Sequence, residues 1–147
     1  DRPVFDASTQ ERGFFGFDKK EDVKYILISE KGCADPSAEY SLELADGLLP
    51  LDIHTFDKDA FILENEQVHK VTLYTKEKKA CLSLHFHTPV VGLWSPPAKN
   101  APFVCIEPWY GRCDRAHYTG EYKDKDWMQH LHPDKTFKGG YTIEIEE

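Results

Sequence analysis

Glu107 is the one carboxylate in the run Phe103-Val104-Cys105-Ile106-Glu107-Pro108-Trp109-Tyr110-Gly111. It closes an apolar stretch and is followed by a proline, two aromatic residues and a glycine. As a strand, the run alternates its side chains between two faces. Val104 and Ile106 then point one way, and Phe103, Cys105 and Glu107 the other. Pro108 has no N–H to give to a ladder, so regular pairing is expected to stop there. That leaves Glu107 at a strand end beside ring surfaces, within reach of a small ligand. A partly desolvated carboxylate among aromatic rings suits the handling of a carbohydrate. The plainer alternative is a surface glutamate at a strand terminus, since Glu is rarely buried.

Other residues could do chemistry, and each has an ordinary reading beside the functional one. His85 and His87 lie two apart, on one face of a strand, a spacing that can ligate a metal. No carboxylate follows them in residues 88–97 to complete a cupin-like set, so two half-exposed strand histidines are favoured. Asp57 and Asp59 flank Lys58 ahead of a strand. They are either an acidic turn or acceptors for sugar hydroxyls. Trp109 and Tyr110 are core or rim aromatics, or one of them is a sugar platform. Arg112 and Arg115 read as solvated loop cations, although an arginine fork suits an anionic ligand. No Ser-His-Asp set, phosphate-binding glycine loop or basic aromatic groove is visible. No cofactor and no metal is called for.

The elements that must position these groups are short strands. The chain has 147 residues, enough for one domain with a core of its own. Nine Phe, seven Tyr and three Trp favour strands. A formal net charge of -8 argues against nucleic acid or an anionic membrane as partner. No apolar run approaches the roughly 20 residues of a membrane span. Cys33, Cys81, Cys105 and Cys113 are widely spaced, with no C-x-x-C pair. They read as reduced thiols, which favours the cytoplasm, and no spacing suggests structural zinc.

Strands are expected over residues 23–29, 40–44, 68–74, 81–87, 90–94, 103–107 and 141–146, with an acidic turn feeding a short strand in residues 56–63. Residues 1–20 read as an irregular lead-in whose Phe14, Phe15 and Phe17 dock on something. Trp127 and Leu131 are expected to share one face of a helical turn. Seven or eight strands without a long amphipathic helix indicate an antiparallel all-β sandwich. The chain begins at Asp1, without an initiator Met, which suggests a processed or excised piece.

With these residues in view, the chain resembles the C-terminal half of the aldose 1-epimerase (galactose mutarotase-like) family, in its bacterial LacX-like branch. The specific part is the run from Phe103 to Gly111, framed by residues 91–94 and continued by Arg112, Cys113 and Asp114. Residues 125–127, 131–133 and 137–145 fit the family's closing pattern, and residues 56–63 its acidic sugar-binding segment. The resemblance implies a large antiparallel β-sandwich, about half of it present in residues 1–147 as part of one domain. It also implies interconversion of the α and β anomers of a free aldose without a metal. Glu107 matches the general base. Asp59 matches the sugar-binding acid, with Asp57 as runner-up, and Trp109 is expected to contact the sugar. Desolvation beside Trp109 would make Glu107 a better base.

The family's acid histidine belongs to the other half, and no matching His-Pro or Asn-His motif stands near Asp1. The N-terminal half is therefore expected as a second chain, and an aldohexose as the small-molecule partner. The alternative is a non-catalytic carbohydrate-binding β-sandwich that has kept the fold and the aromatics.

Overall fold

The computed structural model describes residues 11–146. Ten strands run in chain order: β1 (Glu11–Phe17), β2 (Lys24–Ile28), β3 (Ala34–Ser41), β4 (Leu48–Asp52), β5 (Phe61–Leu63), β6 (Lys70–Tyr74), β7 (Ala80–Phe86), β8 (Val90–Trp94), β9 (Cys105–Trp109) and β10 (Tyr141–Ile145). They form two five-stranded sheets, in the orders β10-β7-β6-β1-β4 and β3-β2-β5-β8-β9. Every strand pairing is antiparallel. The helical content of the described residues is two single 3-10 turns, Glu30–Gly32 and Tyr122–Asp124. The expected all-β antiparallel sandwich is the fold observed. Among the described residues no helix is long and apolar enough to cross a membrane.

Period-two patterning explains the sandwich. Phe15 and Phe17 of β1, Val71 and Leu73 of β6, and Leu84 and Phe86 of β7 face inward from the first sheet. Phe61 and Leu63 of β5, with Val91 and Leu93 of β8, meet them from the second. Burial of this set is the main source of stability, at about 1.5–3 kcal/mol for each large side chain. On the opposite side of the first sheet the pattern is polar: the Thr72 and Ser83 hydroxyls bond at 2.7 Å, and His85 meets Glu144 at 2.7 Å. Arg12 ties the sheets together by donating to the carbonyl of Ala101 at 3.1 Å and to the Asn100 side chain.

β5, like its neighbour β8, is buried on both faces. Its middle residue, Ile62, joins Ile26, Ala34 and Val90 in a second apolar cluster outside the sandwich core. That cluster is covered by the segment after β9, which crosses the outer face of the second sheet to its far edge. There the Ala34 N–H donates to the Asp114 carbonyl at 2.8 Å, and the Ala116 N–H to the Ala34 carbonyl at 2.9 Å. The outer face of the second sheet is thus half roofed, and this is where the candidate residues lie.

Four expectations need correction. The 11–17 segment is an interior strand between β6 and β4, with Phe15 fully buried, where an irregular lead-in was expected. Its glycines were read as punctuation. Gly16 is instead a close-approach position, because a Cβ there would stand 2.6 Å from the Tyr74 ring. The strand expected over 40–44 lies earlier, as β3, since Ala34 is held by the roofing segment. Pairing does not stop at Pro108: β9 is an edge strand, so a missing N–H is tolerated there, and the ladder continues to Trp109 opposite Val90. Trp127 has φ +60 and lies in a turn, whereas Leu131 is exposed, so the two share no helical face. Residues 1–10 of the expected lead-in lie outside the described residues.

Candidate functional site

Strand phase places Glu107 on the outer face of the second sheet. Ile106 and Val104 pack toward the intersheet core, so Cys105, Glu107 and Trp109 point away from it. Glu107 stands opposite Gly92, which stands opposite Ile62, and Ile62 opposite Ile26. This row gives the carboxylate an apolar floor. It is half-buried, as are Cys105 and Trp109.

Gly92 is the position that lets the tryptophan settle there. A Cβ on Gly92 would come within 2.6–2.7 Å of Trp109 Cζ2 and Cη2. The indole therefore lies across β8, directly over the cross-strand partner of Glu107. It also packs against the Ile26, Ile62 and Val90 cluster. Gly92→Val is expected to drive the ring off this floor, at a cost of about 1–3 kcal/mol from overpacking. Urea unfolding, read by tryptophan emission, checks this. An unchanged midpoint and unchanged emission would show that the ring has another resting place.

Cys105, two residues before Glu107, has its thiol held above the ordinary range. Burial is the main cause, followed by the neighbouring Glu107 carboxylate. The thiol therefore stays protonated at neutral pH, beside Glu107. No pairing signal in the sequence marked Cys105 for this role, although its parity with Glu107 put both on one face.

Asp59 sits two residues ahead of β5, with φ +74, and its Oδ1 accepts the Ala60 N–H at 2.7 Å. Asp57 is engaged with His54, whose Nδ1 lies 2.9 Å from Oδ2. Both aspartates are exposed. Ile62 marks the Glu107 row, and Asp59 lies three residues before it in the chain, in the turn that leads into β5. Glu107 and Trp109 are brought together; Asp59 flanks them at the far end of the same sheet.

The histidines stand elsewhere. His85 bonds Glu144 on the outer side of the first sheet, and the His87 ring lies 5.0 Å from that of His69. Among the described residues no histidine is paired with Glu107, and no group of His, Cys, Asp and Glu is placed to hold a metal ion.

The same outer face carries a charged network that the sequence did not reveal. Arg112, expected to be solvated, has a side chain only 2% exposed. Its Nε donates to Glu64 at 2.5 Å, its Nη2 to Asp126 at 2.7 Å and its Nη1 to the Cys113 carbonyl at 3.0 Å. Trp127 Nε1 donates to the same Glu64 oxygen at 2.7 Å, and Arg115 Nε to Asp126 at 2.9 Å. The side-chain partners are 11 to 63 residues apart in the chain, too far for any local motif to show. The network borders an open cleft of ≈ 850 Å³ and fastens the roofing segment beside Trp109. Its charges are matched within the protein, which makes it a brace rather than a ligand set.

Comparison with known proteins places this geometry. No family model matches the chain. The plasmid and chromosomal LacX proteins of Lactococcus lactis subsp. lactis are each 32% identical to it over 98 residues, 66% of this chain and 32% of theirs. A galactose mutarotase related enzyme from Lactobacillus acidophilus superposes with a TM-score of 0.81 at 28% identity. That match covers 100% of this chain and 49% of the other. A galactose mutarotase-like protein from Lactobacillus casei gives a TM-score of 0.75 at 20% identity, over 97% of this chain and 49% of its own, and speaks for the fold alone. The chain spans about a third of the length of the curated relatives and about half that of the solved structures. With two antiparallel sheets and this match to half of a known sandwich, the chain resembles half of a galactose mutarotase-related fold, and its sequence resembles the LacX proteins.

Proposed function

We propose that residues 1–147 are the C-terminal part of a single galactose mutarotase-like domain that interconverts the α and β anomers of a free aldohexose. The observation that carries this reading is Glu107, half-buried beside the Trp109 indole on the outer face of the second sheet. Glu107 acts as general base on the anomeric hydroxyl. An acid histidine, contributed by the N-terminal half as a second chain, gives its proton to the ring oxygen. The bond from the anomeric carbon to the ring oxygen breaks, leaving an aldehyde and a free hydroxyl. Rotation about the bond to C2 and re-addition of that hydroxyl on the other face form the second anomer. Both protons return to the groups that exchanged them.

Asp59 accepts hydrogen bonds from sugar hydroxyls, and Trp109 offers an apolar surface to the ring. The protonated Cys105 thiol lies on the same face as Glu107 and adds no charge beside it. No cofactor takes part in this scheme. Four free cysteines fit a cytoplasmic setting.

A second reading, a non-catalytic sugar-binding sandwich, is favoured by one fact: no described histidine is paired with Glu107. The test is magnetisation exchange between the two anomeric protons of glucose and galactose, measured with the complete protein. Exchange faster than in buffer is the expected result. Sugar-dependent quenching of tryptophan fluorescence with no faster exchange would leave binding alone.

A further inference from the structure

β10 carries a pattern that the rest of the described molecule does not use. On its outer side Glu144 meets His85 at 2.7 Å, and just beyond the strand Glu146 accepts the Ser83 hydroxyl at 2.5 Å. On its other side Tyr141, Ile143 and Ile145 stand in register with Phe86, Leu84 and Leu82. Phe86 and Leu84 belong to the intersheet core, at 3% and 6% exposure. Their neighbours Tyr141, Ile143 and Ile145 are 62%, 54% and 72% exposed. The apolar layer between the sheets therefore continues to β10 and loses its cover there.

The edge of the other sheet ends in the same condition. Val104 and Ile106 are only partly buried against the core, and Phe103 is exposed. The two edges lie on one side of the sandwich. Tyr110, the residue after β9, accepts the N–H of Gly140, the residue before β10, at 3.3 Å. Both β9 and β10 are terminal in their sheets, each with one neighbour among the described residues. An exposed strand edge beside an apolar face is a template for another strand.

We infer that this open side is an interface, and that its occupant is the complementary half of the mutarotase-like fold, on polypeptide outside these 147 residues. This rests on the reading of the chain as half of that fold. The whole chain matches 49% of a solved sandwich, so the missing part is of about equal size. The uncovered residues continue the core layer, as expected where one sandwich has been divided. A second copy of this chain is a poorer occupant, because it would bring its own formal net charge of -8 against the first. The complement adds a strand to β10 and covers Tyr141, Ile143 and Ile145.

The test uses the 147-residue chain and, as probe, the half of the Lactobacillus acidophilus enzyme that this chain does not cover, made separately. Light scattering is expected to show one copy of each in a complex, with slowed amide exchange in β10. Ile143→Glu and Ile145→Glu change exposed residues, so the free chain should keep its circular dichroism and unfolding midpoint. Each is expected to weaken the complex by about tenfold or more, through burial of a charge. Lys123→Glu, on the distant loop, should leave it unchanged. The inference is overturned by any of four results. These are no complex, a homodimer through β10, unslowed exchange in β10 within the complex, or wild-type affinity of both isoleucine variants. A complex that assembles through another surface would remove this interface and leave the proposed function standing. Loss of the anomerisation assignment would leave this measurement unaffected.

Discussion

Arg112→Ala is expected to destabilise the chain by about 3–5 kcal/mol, because it removes the shared cation from two largely buried carboxylates. Glu64 and Asp126 have side chains 13% and 18% exposed. Asp126 keeps Arg115 as a partner, but Glu64 keeps only the Trp127 indole N–H. Lysine would not restore the network, since one ammonium cannot form the planar fork that reaches both acids. The triple change to Arg112→Leu, Glu64→Gln and Asp126→Asn should recover much of the loss, as neutral replacements of buried ion clusters often do. Urea unfolding decides it: a loss below about 1 kcal/mol, the value usual for surface pairs, would mean the network is solvated.

Acid gives an independent reading of the same brace. The hydrogen bond from Arg115, with further help from Arg112, holds the Asp126 carboxyl below its ordinary value of 3.8. Its folded pKa is depressed, so its stabilising contribution is complete above the unfolded value and is lost as pH falls through the folded one. Stability from this source should be flat at neutral pH and decline below about pH 4. In Asp126→Asn that part of the decline should disappear.

Why the alternating strands were legible, and the brace was not, follows from the physics of each. A two-residue period is a local signal, and it located β2, β5, β6, β7, β8 and β10 to within a few residues. It also set the phase of β9 correctly, which put Glu107 on the face away from the core. The same signal failed at β1, where Gly13 and Gly16 interrupt the apolar run. Those glycines answer to neighbours 58 or more residues later, the backbone and ring of Tyr74. Pro108 misled for a similar reason: its effect depends on whether the strand is at an edge, which is a property of the sheet. Arg112 carries the same lesson for charge, since its burial comes from acids supplied by β5's end and a distant loop. Trp109 beside Glu107 was visible as a pair of residues, but the need for Gly92 under the ring appears only when β8 and β9 are side by side.

The central claim concerns Glu107 as a base, and its replacement should have the largest effect on activity. Glutamine keeps the shape of the side chain and its carbonyl oxygen. It cannot take the proton of the anomeric hydroxyl. General-base catalysis by one positioned group is worth about 10² to 10⁴ in rate. Stability should change by less than about 0.5 kcal/mol, since neither the floor under Trp109 nor the Arg112 network is touched. The separation of the two readouts matters, because a misfolded variant would lose activity for another reason. The most direct measurement is polarimetry of freshly dissolved α-glucose and α-galactose with the complete protein, wild type against Glu107→Gln, at neutral pH and equal folded concentration. The expected result is loss of about 10² to 10⁴ of the catalysed rate with an unchanged unfolding midpoint. Mutarotation by Glu107→Gln at the wild-type rate would contradict the account.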